Sequence, residues 1–157
     1  MGSTTEIIID LRDEAATARL AEMLSQVVRI GDVIALHGDL GSGKTAFARA
    51  FIRALGDPEE EVPSPTFTLV QIYDLSVGPV FHFDFYRLNR AEETYELGIE
   101  DAFHEGVSLI EWPDRVRGLL PRERLDLELS LRGKKARRAV LRGGGSWMER
   151  LRESGHA

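Results

Sequence analysis

Apolar residues along this chain fall into two patterns. Short apolar runs rich in branched and aromatic side chains predict buried strands, and they lie at residues 6–9, 33–37, 80–87 and 107–112. Apolar residues that recur every three or four positions predict amphipathic helices, one opening at the acidic turn 13–17 and one over residues 46–55. The alternation of these patterns favours an α/β fold with a mostly parallel central sheet and helices on both faces.

The remaining segments predict smaller elements and a tail. The elements are an edge-like strand at 67–73, a helix at 91–103 that Leu97-Gly98-Ile99 divides in two, a short helix or turn at 113–120, and a half-exposed strand at 125–131. Residues 57–66 contain three prolines and suit neither a helix nor a central strand. A flexible glycine joint at 143–145 precedes a short terminal helix or frayed tail. We predict one domain over residues 1–142, followed by a joint and C-terminal tail over 143–157.

Composition narrows the class of protein. A chain of 157 residues is large enough to bury a proper core. The net charge of −6 argues against a nucleic-acid-binding protein that is basic throughout. The absence of cysteine excludes disulfides and thiolate metal sites. No apolar run is long enough to span a membrane and the N-terminus does not resemble a secretory signal, so we expect a cytoplasmic protein.

The segment between the second predicted strand and the helix that follows it fits the phosphate-binding pattern G-x-x-x-x-G-K-[ST]. Its small residues let the backbone wrap an anion, and its amides and the helix N-terminus favour a polyphosphate. Lys44 would neutralise the β- and γ-phosphates, and Thr45 would offer its hydroxyl to Mg²⁺. The alternative is an ordinary glycine-rich turn, which the strand–loop–helix context disfavours. The predicted nucleotide-binding residues here are Gly38, Asp39, Leu40, Gly41, Ser42, Gly43, Lys44, Thr45 and Ala46, and the domain is predicted to be P-loop NTPase-like.

Two further predicted strands carry a carboxylate near the carboxyl end, Asp84 in 80–87 and Glu111 in 107–112. Ligands of parallel α/β sheets bind beyond the carboxyl ends of the strands, so both side chains would project toward the phosphates. A carboxylate there holds Mg²⁺ or orients the attacking water, and both residues are therefore catalytic and metal-binding candidates. The alternative role for each is to cap a turn at the strand end. The sequence leaves open which of the two contacts the metal directly.

Two other segments have more than one reading. The loop Ser64-Pro65-Thr66 suits a phosphate-sensing switch in which Thr66 reaches Mg²⁺ or the γ-phosphate, and it suits a rigid proline-rich connector equally well. The basic run 134–142 is a positive area on an acidic chain. Most such runs are merely solvated, and the alternatives are contact with nucleotide or RNA.

These pieces together resemble the TsaE (formerly YjeE) family, small bacterial ATPases of the system that makes N6-threonylcarbamoyladenosine (t6A) in tRNA. The resemblance covers roughly residues 6–142, and the motifs that follow the phosphate loop are specific in this order. The matching segments are Gly38 to Thr45, Ser64 to Val70, His82 to Leu88, Glu96 to Ile99, Ile110 to Pro113, and Leu120-Pro121.

The resemblance implies an ATP site with Mg²⁺ held by Thr45 and Glu111, a switch around residues 64–68, and a functional carboxylate at Asp84. Glu14 lies in the region that looks like the family's adenine-side contact. Lys134 and Arg137 match more loosely, because the family varies there. The implied partner is the TsaB–TsaD heterodimer, in which TsaD transfers the threonylcarbamoyl group to adenosine-37 of tRNA. The ATPase would act on that complex and meet tRNA only indirectly.

The leading hypothesis from the sequence is an Mg²⁺-dependent ATPase, slow alone and stimulated by its partners, in which Asp84 and Thr66 position a water. No residue stands out as an arginine finger; Arg87 or a partner's arginine would fill that role. A small-molecule kinase is an alternative, although no arginine-rich lid segment is evident. A GTPase lacks support, because Asn89-Arg90-Ala91-Glu92 does not match the guanine-reading motif. A nucleotide-gated adaptor with negligible turnover is a further alternative. The oligomeric state is left open.

Overall fold

The computed structural model describes residues 6–154. Their strands are β1 (Glu6–Leu11), β2 (Val33–His37), β3 (Val70–Leu75), β4 (Gly78–Asp84), β5 (Val107–Glu111), β6 (Leu125–Leu131) and β7 (Arg137–Gly143). The α-helices are α1 (Glu14–Val27), α2 (Lys44–Leu55), α3 (Glu93–Glu96), α4 (Ile99–Glu105) and α5 (Trp147–Glu153). A 3₁₀ helix spans Pro113–Leu119.

The strands form one seven-stranded sheet in the order β1-β7-β6-β2-β5-β4-β3. The central strands β6, β2, β5 and β4 are parallel, and the pairings β6–β7, β7–β1 and β4–β3 are antiparallel. Only Ser76 and Val77 separate β3 from β4, and so short a connection permits a hairpin but not a crossover helix. The α/β prediction is confirmed, with a sheet that is parallel in its centre and mixed at its edges.

Hydrophobic side chains cover both faces of the central strands. On one face α1, α2 and α5 pack over residues such as Ile34 and Leu109. On the other face α4 and the 3₁₀ helix pack over Val33, Phe83 and Ile110. Successive strand residues point to opposite faces, so β2 and β5 are buried on both sides. Helices lie on both faces, as predicted.

Several element boundaries differ from the predicted ones for local reasons. The helix α2 begins at Lys44, two residues earlier than predicted, because Gly43 adopts a positive φ of 109° and forms its N-cap. The strand β3 begins at Val70 rather than at 67. Before it, Leu69 has a φ of 69° and its N–H donates to the Pro65 carbonyl, which makes a turn. The strand β4 ends at Asp84 rather than at 87, since the Asp84 carboxylate accepts from the Tyr86 N–H and the chain turns there.

The C-terminal segment packs on the core of the domain. Gly143 is still part of β7, where it pairs with Leu125. The helix α5 follows, and its Trp147 and Leu151 are buried in the same cluster as α1 and α2. The sequence left open whether this stretch is a short terminal helix or a frayed tail, and the structure shows the helix.

Candidate nucleotide-binding site

The predicted phosphate loop connects β2 to α2 at the carboxyl end of the parallel strands. Its shape depends on Gly38, which has a φ of 142° and sits so close to its surroundings that a Cβ would lie 2.5 Å from the Leu129 carbonyl oxygen. The loop is also held from β7, where Arg137 donates from Nε to the Ser42 carbonyl (3.1 Å) and from Nη2 to the Gly41 carbonyl (3.2 Å). The carbonyls that Arg137 holds point away from the amides of the same peptide groups, because those groups are trans. The two hydrogen bonds from Arg137 therefore help to fix the directions of the loop amides.

Lys44 is the cation of the loop and is only 5% exposed. Its Nζ donates to the carbonyls of Gly38 (2.5 Å) and Asp39 (3.0 Å) and lies 4.2 Å from the centre of the Trp112 ring. Burial lowers the pKa of Lys44 below its usual 10.5, while the nearby carboxylates of Glu111, Asp84 and Asp39 act in the opposite direction. The buried ammonium of Lys44 is bonded mainly to carbonyls. An anionic ligand beside it would stabilise its charged form.

The two strand-end carboxylates lie side by side next to this lysine. Asp84 of β4 is the direct partner of Glu111 in β5, and Glu111 is also paired with Leu36 at the end of β2. Both carboxylates are buried, with 4% and 2% exposure. By strand alternation they lie on the face that α2 covers. The sheet therefore brings Lys44, Asp84 and Glu111 to one place, as the strand-end argument predicted.

The first residues of α2 connect the loop to Glu111. The Thr45 hydroxyl donates to Glu111 Oε1 at 2.9 Å, and His82 Nε2 lies 2.7 Å from Glu111 Oε2. Octahedral Mg²⁺ binds oxygens at 2.0–2.1 Å, so two neighbouring ligands of one ion are about 2.9 Å apart. The hydroxyl and the carboxylate already have this separation and could bind one ion together. No group of three or more His, Asp or Glu side chains suited to a metal occurs within residues 6–154. Mg²⁺ with a nucleotide does not need such a group, because phosphates and waters supply its other ligands.

The proline-rich loop reaches the other carboxylate. The Thr66 hydroxyl donates to Asp84 Oδ2 at 3.0 Å and lies 2.7 Å from the Ser64 hydroxyl. The second Asp84 oxygen accepts from the Tyr86 N–H at 2.9 Å. Asp84 thus caps the turn after β4 and also holds the loop that carries Thr66. The sequence offered two alternative roles for Asp84, capping a turn and acting on metal or water. This geometry allows both.

These groups line one cavity of about 510 Å³, a size typical of small-molecule sites. The predicted site residues in its wall are Glu14, Leu40, Gly41, Gly43, Lys44, Thr45, Ala46, Thr66, Asp84 and Glu111. Ser64 and Arg87 also line it.

Four predicted nucleotide-binding residues do not line this cavity. Gly38 and Asp39 line a second cavity, and Ser42 is buried, with 1% exposure. Lys134 is exposed on the turn between β6 and β7 and is not part of the cavity wall. The structure brings the neighbouring Lys135 to the wall in its place.

Sequence reasoning did not single out several residues of the wall, namely Thr17, Tyr86, Trp112 and Lys135. Thr17 follows Glu14 by one helical turn, so helical spacing could have revealed it. Arg137 matched the family pattern only loosely in the sequence. It lines the cavity and also donates hydrogen bonds to the phosphate loop. The choice between Lys134 and Lys135 depends on the shape of the β6–β7 turn and has no signal in the sequence.

The fold and the loop at the ends of its parallel strands define a P-loop NTPase-like α/β domain. Comparison with known proteins places it more narrowly. A family model described as "Threonylcarbamoyl adenosine biosynthesis protein TsaE" matches residues 11–140. This chain belongs to the TsaE family, as the motifs predicted, and thus to a family of tRNA threonylcarbamoyladenosine biosynthesis proteins.

Individual relatives agree with this assignment. The tRNA threonylcarbamoyladenosine biosynthesis protein TsaE of Bacillus subtilis is 37% identical over 138 residues, which cover 87% of this chain and 85% of that protein. The TsaE protein of Rickettsia felis is 39% identical over 121 residues, covering 77% of this chain and 71% of that protein. The crystal structure of Bacillus subtilis YdiB superposes with a TM-score of 0.84 at 29% identity, covering 99% of this chain and 97% of that one. Within the part of the chain described here, no helix is long and apolar enough to cross a membrane.

Proposed function

We propose that this protein binds ATP with Mg²⁺ in the cavity at the phosphate loop and hydrolyses it. The hydrolysis would serve formation of t6A in tRNA, in the cytoplasm, through action on the TsaB–TsaD heterodimer. The observation that carries the proposal is the contact between Thr45 and Glu111 at 2.9 Å, beside the buried ammonium of Lys44. A lysine, a hydroxyl and a carboxylate at the end of a glycine-rich loop are the groups that a magnesium–triphosphate complex requires.

Each group has a role that its position supports. The loop amides and the N-terminus of α2 would bind phosphate oxygens, and Lys44 would leave the Gly38 and Asp39 carbonyls to neutralise the β- and γ-phosphates. Thr45 and Glu111 would hold the metal. Mg²⁺ so held would stabilise the charge that develops on the phosphates during transfer. Glu14 and Lys135, which also line the cavity, would face the nucleoside.

The water-positioning group would be Asp84, together with Thr66. Both lie in the wall of the cavity, and Asp84 accepts hydrogen bonds at both oxygens, from Thr66 and from the Tyr86 N–H. A carboxylate has about four lone-pair sites for hydrogen bonds, so Asp84 could orient a water while it still holds the loop that carries Thr66. Arg87 lies over the exposed Phe67 ring, 4.3 Å from its centre, and would have to move to reach the phosphates. The position of Arg87 on Phe67 favours slow hydrolysis by the isolated chain and faster hydrolysis when a partner reorders the loop at residues 64–68.

The central test measures ATP affinity by calorimetry and phosphate release with and without TsaB–TsaD. Lys44→Ala should abolish binding or hydrolysis, since it removes the only side-chain cation inside the loop. Glu111→Ala should lower turnover by about a hundredfold and weaken ATP binding much less, because the metal matters most in the transition state. The matched control is Glu105→Ala, an exposed carboxylate at the end of α4, which should behave as wild type.

Different failures have different meanings. Unaltered turnover in Lys44→Ala would reject the site. A preference for GTP over ATP would reject the nucleotide, and phosphate transfer to a metabolite would identify a kinase. Tight Mg²⁺-dependent ATP binding with no phosphate release in the presence of TsaB–TsaD would leave a nucleotide-gated adaptor. Equal hydrolysis rates with and without TsaB–TsaD would reject the stimulated motor.

A further inference from the structure

A buried histidine lies behind the proposed metal ligand and has no part in the function proposed above. His82 is in the middle of β4 and is fully buried. Its Nε2 lies 2.7 Å from Glu111 Oε2, whereas its Nδ1 has no hydrogen-bond partner in the described structure. Polar groups in a protein interior are normally hydrogen-bonded. An imidazole that satisfies only one of its nitrogens, and satisfies it on Glu111, points to a role at that carboxylate.

The sheet dictates this contact. Asp84 is the direct partner of Glu111 across the β4–β5 pairing, and His82 precedes Asp84 by two residues. His82 and Glu111 are therefore diagonal neighbours on the same face of the sheet. With Glu111 as the acceptor, the 2.7 Å contact assigns the hydrogen of His82 to Nε2.

The histidine and the threonine hold different oxygens of the same carboxylate. His82 holds Oε2 from within the sheet, and Thr45 contacts Oε1 from the start of α2. If the Thr45 hydroxyl turned its lone pair toward a metal, Oε1 would be free to hold the same ion. His82 would keep its hydrogen bond to Oε2, so the carboxylate would hold its orientation.

We propose that His82 is a positioning residue, which orients Glu111 for Mg²⁺ through the Nε2–H···Oε2 hydrogen bond. The proposal rests on the function proposed above, because it needs Glu111 to be a metal ligand. Groups that hydrogen-bond to metal ligands typically change metal affinity or activity by about 10–100-fold when they are replaced. His82 does not line the cavity, so its effect would pass through Glu111.

The test uses two replacements of the buried imidazole. His82→Phe keeps a ring in the core and removes the donor. His82→Gln places an amide nitrogen at about the reach of Nε2 and keeps a donor. ATP affinity is measured by calorimetry over a series of Mg²⁺ concentrations and in EDTA, a readout that does not depend on turnover. His104→Gln on α4, whose side chain is exposed, is the control.

For His82→Phe we expect the Mg²⁺ concentration that gives half of the affinity gain to rise about 10–100-fold, with ATP affinity in EDTA unchanged. His82→Gln should restore most of the wild-type Mg²⁺ dependence. Wild-type Mg²⁺ dependence in His82→Phe would overturn the proposal. An impaired His82→Gln that matches His82→Phe would also overturn it, since the packing of the imidazole would then matter and the donor would not.

A variant that does not fold does not end the test. If His82→Phe is unfolded by circular dichroism, His82→Asn replaces it, because its shorter side chain keeps an amide but does not reach Glu111. Equal Mg²⁺ dependence in His82→Asn, His82→Gln and wild type would overturn the proposal. If wild-type ATP binding itself shows no dependence on Mg²⁺, the proposed function fails first. Mg²⁺-dependent binding that is equal in wild type and variants overturns the role of His82 alone.

Discussion

The contact that anchors the C-terminal helix allows a quantitative prediction. Arg150 of α5 is only 6% exposed. It donates to both carboxylate oxygens of Asp32, at 2.6 and 3.0 Å, to the Val27 carbonyl at 2.8 Å and to the Ser146 hydroxyl at 3.1 Å. Its guanidinium also lies 4.0 Å from the centre of the Trp147 ring. Asp32 directly precedes β2, the strand that leads into the phosphate loop.

The change is Arg150→Met, which keeps an apolar stem and removes the charge and all of these donors. Removing one partner of a buried ion pair costs about 3–5 kcal/mol, because the other charge is left buried and unpaired. Asp32 has a side-chain exposure of 13% and still accepts from the Arg29 N–H at 2.7 Å. Both facts place the cost at the lower end, about 3 kcal/mol. For a domain of this size each kcal/mol lowers the melting temperature by about 2–4 °C, so we expect a fall of about 6–12 °C.

The assay is thermal and urea denaturation at neutral pH, followed by circular dichroism. Arg152→Met on the exposed side of the same helix is the matched control and should change the free energy of unfolding by no more than about 0.5 kcal/mol. In the double variant Arg150→Met/Asp32→Asn, much of the loss should be recovered, because the unpaired charge is gone. A fall of less than about 2 °C for Arg150→Met, or a fall equal to that of Arg152→Met, would refute the reasoning. The predicted loss would mean that α5 is a structural part of the domain.

Two further predictions concern the loop and the acid stability. Gly38→Ala should weaken ATP binding by at least about tenfold, because an added Cβ would lie 2.5 Å from a backbone carbonyl of β6 and the loop would have to move. Calorimetry measures the affinity. The control is Gly118→Ala, which has open space around it and should bind ATP as wild type does. Burial raises the pKa of Asp126, but hydrogen bonds with His37 and Arg124 outweigh burial and keep the pKa below its usual 3.8. Asp126 therefore contributes stability above about pH 4, and this contribution is lost as the pH falls through its lowered pKa in the folded protein. Urea denaturation from pH 6 to pH 3 should show a smaller acid-induced loss for Asp126→Asn, and an equal loss would contradict the assignment.

The sequence by itself determined the features that depend on local pattern. Residues 38–45 showed the phosphate loop, because that loop needs small residues and a lysine at set positions along one short segment. The strands that end at Asp84 and Glu111 were visible as apolar runs, and the general geometry of α/β sheets placed their ends near that loop. The order of the motifs also identified the TsaE family, which the family match confirms.

Tertiary structure alone decided the contacts between distant segments. The strand order and the β4–β5 register bring His82 behind Glu111, 29 residues further along the chain. Arg137 reaches the loop carbonyls from 95 residues away, and Arg150 reaches Asp32 across 118 residues. The first two contacts depend on strand pairing, and a shift of one residue in register would turn His82 or Arg137 to the other face of the sheet. The third depends on where α5 packs. Hydrophobic periodicity and short motifs carry no information about those pairings. The sequence therefore predicted Lys44 at the phosphate loop, but not the contacts that hold the surrounding groups in place.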